Sequence, residues 1–75
     1  MQINKERLRE FMLELTANTK HPKGNYNHFA RILGIDVSRL HKILNKPEAK
    51  GGTKTLGRLK TLCEIKGRDF NYYIF

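Results

Sequence analysis

Residues 26–45 read YNHFARILGIDVSRLHKILN, and the way this stretch folds decides the architecture around it. Phe29, Ala30, Ile32 and Leu33 recur at helical spacing, and Gly34 follows where a helix most readily ends in a left-handed residue. Asp36 is placed to cap a new helix, Ile35 and Leu40 stand where a hydrophobic staple puts them, and Leu40, Ile43 and Leu44 form an apolar stripe up to Asn45. The stretch predicts two short helices meeting across a tight glycine turn. Helices that cross steeply within a few residues approach closely, so the contact position on the first takes nothing larger than alanine, which Ala30 supplies. Gly34 permits a positive φ without Cβ strain, while Phe29, Leu40 and Ile43 fill the space between the helices.

Working outward, Ile3, Leu8, Phe11, Met12 and Leu15 repeat at three- and four-residue steps, which predicts an amphipathic first helix of roughly three to four turns. Asn4 is its expected N-cap, with Ile3 and Leu8 as a staple pair. Asn18 to Asn25, holding Pro22 and Gly24, reads as a loop. On the other side, Lys46 to Lys54, with Pro47, Gly51 and Gly52, reads as a mobile basic loop, and a helix resumes near Thr55. Leu56, Leu59, Leu62 and Cys63 are its expected inward stripe, Gly67 its end, and Asp69 the cap of a final turn carrying Phe70, Tyr73 and Ile74. The expectation is one all-α domain over residues 1–75, a compact bundle of four to five helices with no sheet and no internal repeat.

Charge points to a partner. The chain carries 15 Lys and Arg against 7 Asp and Glu, a net +8. Between Lys20 and Lys60 there are ten basic residues and two acids, whereas outside that window five of each balance, so the whole excess sits in the middle of the sequence. A basic window of this kind implies a polyanionic partner. Rotating residues 37–45 by roughly 100° each sends Leu40, Ile43 and Leu44 inward. Ser38, His41, Lys42 and Asn45 then lie on the opposite face, with Val37 and Arg39 on its flanks. An α-helix fits the major groove of B-DNA, where Lys or Arg bonds guanine edges, Ser bonds several edges and Val meets a thymine methyl. Val37, Ser38, Arg39, His41 and Lys42 are accordingly the candidate base contacts, and Lys50 and Lys54 of the loop are candidate phosphate contacts.

Phe29, Ala30, Leu33, Gly34, Ile35, Leu40 and Ile43 together resemble the helix-turn-helix of the Cro and lambda-repressor-like family, in which a small residue, a turn glycine and a later aliphatic residue recur; here they are Ala30, Gly34 and Leu40. The likeness covers Tyr26 to Asn45 closely and the flanking helices loosely. It implies a lambda-repressor-like fold and sequence-specific binding of double-stranded DNA, as a cytoplasmic transcriptional regulator of a phage or mobile element. In that family the first, second and sixth residues of the recognition helix touch bases, which carries over to Val37, Ser38 and Lys42. The start of the preceding helix clamps phosphate, which carries over to Asn25, Tyr26 and Asn27, with Asn45 and Lys46 beside them. Phe29 stands where leucine is common, and the absence of glutamine from residues 37–45 argues against adenine readout.

Other chemistry finds little support. Gly51, Gly52, Thr53 and Lys54 lack the order and preceding strand of a phosphate loop, and His21, His28 and His41 lack the paired spacing of a zinc site. Cys63, the one cysteine, lies on an apolar stripe and reads as a buried, inert thiol. No catalytic constellation emerges, so the chain is expected to be no enzyme and to use no cofactor or metal. No apolar run approaches a membrane span, and the opening residues lack the apolar core of a signal peptide. Phe70, Tyr72, Tyr73, Ile74 and Phe75 would leave apolar area in water near a terminus, so about half of this stretch is expected to complete the core and the rest to pair two protomers, with Tyr72, Tyr73 and Phe75 as the candidate interface of a homodimer. The alternatives to DNA binding are an antitoxin-like module engaging another regulatory protein, and RNA binding through the same basic window.

Overall fold

A computed structural model of the chain describes residues 2–46 and 52–75. Four α-helices follow in order among these residues: α1 (Lys5–Thr16), α2 (Tyr26–Leu33), α3 (Val37–Asn45) and α4 (Gly52–Lys66), with a closing 3₁₀ turn at Phe70–Tyr73. The protein is all-helical, and the described residues add to this an isolated antiparallel bridge between Ile3 and Ile74. Lys50, Pro47 and Gly51 of the expected basic loop lie outside the described residues.

Local chemistry accounts for most of the boundaries. The Asn4 side chain accepts from the Arg7 amide at 3.2 Å and starts α1. The Asn25 side chain accepts from the His28 amide at 3.1 Å and starts α2. Both satisfy a backbone donor that a helix N-terminus leaves unpaired. Gly34 takes the left-handed conformation with φ 82°, and its amide bonds the Ala30 carbonyl at 2.8 Å, closing α2. Asp36 departs from expectation: it occupies the N-cap position of α3 with extended backbone, but its carboxylate makes no capping bond. Asp69 does cap the closing turn, accepting from the Asn71 amide at 3.0 Å.

The core gathers one face of every element. Leu8, Phe11 and Met12 of α1, Phe29, Ala30 and Leu33 of α2, Leu40, Ile43 and Leu44 of α3, and Leu59, Leu62 and Cys63 of α4 are buried together with Ile3 and Tyr73. Phe11 organises the centre: Tyr73 stacks on it at 4.7 Å between ring centroids and Phe29 meets it edge-on at 5.9 Å. Such pairs add about 0.5–1.5 kcal/mol beyond area burial. At one edge of this core, Thr16 Oγ1 donates to the Met12 carbonyl at 2.7 Å and accepts from the Asn25 amide at 2.8 Å, tying α1 to the start of α2.

Two expectations need correction and a third is extended. Tyr73 is 3% exposed and stacked on Phe11, so its apolar area is already covered and it has no surface to offer a second protomer. α4 begins at Gly52 rather than near Thr55, because Gly52, at φ 73°, makes the left-handed bend at the very start of the helix and Thr53 and Lys54 then continue as helix. The inward stripe of α4 takes in Thr55 as well: residues 55, 59, 62 and 63 are buried, and Leu56, one step around, is half-buried and packs against the same core.

Candidate nucleic-acid interface

The packing of α3 leaves one of its faces bare. Among the described residues the helices that lie closest along α3 are α1 and α2. Leu40, Ile43 and Leu44 are buried toward the supporting helices. Ser38, Arg39, His41, Lys42 and Asn45 are exposed, followed by exposed Lys46. Five candidate base-contacting positions therefore share one short helix, with one qualification: Val37 is half-buried against the core, so only part of its side chain faces outward.

The start of α2 lies alongside. The Tyr26 ring stacks on His41 of α3 with 4.0 Å between centroids and 6° between planes. Asn45 Nδ2 donates to Tyr26 Oη at 3.5 Å. This brings Tyr26, His41 and Asn45 into one cluster, with Asn27 exposed next to Tyr26. Asn25 has its carbonyl oxygen committed to capping, which leaves its amide group for any external anion.

At the other end of α3, Gly34, Ile35, Asp36, Arg39 and Lys54 line a shallow depression of about 160 Å³. Arg58 closes over the same turn: a Cβ placed on Gly34 would lie 3.5 Å from its Cδ. Lys54 is thus brought from α4 to the turn, while Lys50, its companion in the sequence reading, lies outside the described residues.

Two contributors were not legible in the sequence. Lys5 Nζ donates to the Lys46 carbonyl, and Arg9 Nη2 donates to the Leu44 carbonyl at 2.6 Å and reaches Asn45 Oδ1 at 3.4 Å. These cations come from the charge-balanced N-terminal flank, 35 to 41 residues away along the chain. Their four-residue spacing places both on one face of α1, but only the packed structure says that α3 lies opposite it.

The acids gather elsewhere. Among the described residues the one ion pair joins Arg68 to Glu14, far in sequence from α3. Hydrogen bonding to Glu14, with the charge of that carboxylate, holds the Arg68 guanidinium still more firmly protonated than usual. Tyr72 Oη donates to Glu10 at 3.4 Å, and Arg7 lies 4.3 Å over the Tyr72 ring while bonding its carbonyl at 3.0 Å. Tyr72 at 44% and Phe75 at 79% remain exposed, as does Ile65 of α4 at 72%. Cys63 is buried, and burial foremost, aided by the Asp69 charge and opposed by Arg68, pushes its thiol above the usual range. No three His, Cys, Asp or Glu side chains converge as a metal site would need among the described residues, and no helix there is long and apolar enough to cross a membrane.

No protein-family model matches the chain, and neither a curated protein nor a solved structure matches it.

Proposed function

We propose that the protein is a helix-turn-helix regulator of the Cro and lambda-repressor-like kind, acting in the cytoplasm and binding double-stranded DNA with α3 in the major groove. The observation that carries this reading is the bare polar face of α3. Ser38, Arg39, His41, Lys42 and Asn45 are exposed, and Arg39 and Lys42 have no acid partner among the described residues. An α-helix with its side chains is about 10–12 Å across and fits a groove about 12 Å wide. Ser38, Arg39, His41 and Lys42, with the outer part of Val37, read base edges. Asn25, Tyr26, Asn27, Asn45, Lys46 and Lys54 hold phosphate and set the register. Two protomers reading half-sites one turn apart would give a palindromic operator, and exposed Tyr72 and Phe75 are the side chains available for such a homodimer.

The deciding experiment selects from a randomised duplex pool at near-physiological salt, with a single-stranded RNA pool in parallel. The expected result is one enriched duplex site, at which Lys42→Ala costs roughly 1–3 kcal/mol and loses discrimination at one base pair. Preference for the RNA pool, or sequence-blind retention, would overturn the DNA-reading assignment.

The exposed Tyr72, Phe75 and Ile65 favour a second reading, a module that docks on another regulatory protein. That role would depend on Tyr72 and Phe75 and be indifferent to Lys42.

A further inference from the structure

We propose that Lys5 and Arg9 of α1 turn the C-terminal end of α3 into a site for a nucleic-acid backbone phosphate, an inference that rests on the duplex-binding reading above. A helix C-terminus carries roughly half a negative charge on carbonyls without intrahelical partners, so by itself it repels phosphate. In α3 two carbonyls at this end carry cations. The Leu44 carbonyl accepts from Arg9 Nη2 at 2.6 Å, and the Lys46 carbonyl accepts from Lys5 Nζ. A guanidinium has five N–H donors and an ammonium three, so both cations keep donors free after these bonds. The exposed Lys46 side chain follows directly, and Asn45, bridging Arg9 and Tyr26, borders the same patch.

The consequence is a recognition helix with cations at its C-terminal end as well. At the N-terminal end Arg39 and Lys54 share a depression with the Asp36 carboxylate, which makes no capping bond. At the C-terminal end the added cations come from α1. Lys5 and Arg9 thus lie on the α3 side, while Arg7, Glu10 and Glu14 of the same helix engage Tyr72 and Arg68 of the C-terminal segment.

A purely structural role, bracing α3 against α1, predicts a different outcome from a phosphate contact. Glutamine keeps an N–H donor for the α3 carbonyls and removes the charge. Lys5→Gln, Arg9→Gln, Arg9→Lys and, as a control on the end of α4, Lys66→Gln are titrated with duplex by fluorescence anisotropy over a range of salt. Measurements are made at a temperature where far-UV circular dichroism shows every variant folded. Each Gln change at Lys5 or Arg9 is expected to lower the slope of log K against log salt by about 0.9. Each should also weaken every duplex alike by roughly fivefold near 0.15 M salt, the contribution of a single phosphate contact. Arg9→Lys and Lys66→Gln should leave the slope unchanged. An unchanged slope in both Gln variants of a protein that binds duplex overturns this inference alone. Absence of duplex binding by the unaltered protein overturns the functional reading, and this inference with it.

Discussion

Gly34 is the residue on which the meeting of α2 and α3 turns. Its φ of 82° is comfortable for glycine and costs an L-residue about 1–2 kcal/mol. Space is no obstacle, because an added Cβ would meet the Arg58 side chain at an ordinary 3.5 Å. The two effects are therefore separable: Gly34→Ala should destabilise by about 1–2 kcal/mol through backbone strain. D-alanine, introduced by chemical synthesis, prefers positive φ and should be tolerated. Equilibrium urea unfolding of the two proteins makes the comparison. Equal losses for both enantiomers would mean that the methyl group itself is the problem. The uncapped Asp36 two residues on was less legible. Sequence identifies a residue able to cap, but whether its carboxylate turns back to the helix depends on its surroundings, here the depression shared with Arg39 and Lys54.

Among the elements, α4 shows where periodicity succeeds and where it slips. Leu59, Leu62 and Cys63 are buried as their spacing predicts and Leu56 packs half-buried against the core, but the fully buried position at the start of the stripe is Thr55. Hydrophobicity favoured the leucine, whereas geometry follows the 3.6-residue repeat regardless of polarity. The result is a buried hydroxyl with no hydrogen-bond partner among the described residues. An unsatisfied buried polar group costs roughly 1–3 kcal/mol, and valine has nearly the shape of threonine without it. Thr55→Val is therefore expected to raise stability by about 1 kcal/mol, seen as a higher urea midpoint at unchanged slope. Loss of stability would show that the hydroxyl is satisfied in solution. The helices around the turn, α2 and α3, matched their sequence reading because the turn glycine and the apolar stripes agree there, even though Asp36 makes no capping bond. The joining of α1 to α3 by Lys5 and Arg9, and the Tyr26–His41 stack, were not legible because contacts between residues far apart leave no periodic trace. The aromatic cluster at the C-terminal end divides in the same way: composition reveals that it must be covered, and only packing reveals that Tyr73 goes inside while Tyr72 and Phe75 stay out.

For the molecule as a whole, the C-terminal segment closes the core by bringing Tyr73 onto Phe11 next to Cys63, and this makes stability sensitive to alkali. Burial is the leading reason that both the Cys63 thiol and the Tyr73 phenol are pushed above their usual values; the Arg68 charge opposes the shift in each case without cancelling it. The unfolded chain thus ionises these groups before the folded protein does. A group whose value is raised by folding contributes nothing unfavourable below its unfolded value, and stability falls as pH rises past that value toward the folded one. For a thiol the fall begins near about 8.5, and for a phenol near about 10, each with a limiting slope of roughly 1.4 kcal/mol per pH unit. Urea midpoints measured from neutral pH upward should accordingly be flat to about pH 8 and then decline. Cys63→Ala removes the earlier component, so its midpoint should hold until the tyrosine begins to ionise. If that variant declines over the same interval as the unaltered protein, Cys63 is not the group responsible for the early loss. The guanidinium stays protonated throughout this range, held so by Glu14, so the pair itself is expected to survive it.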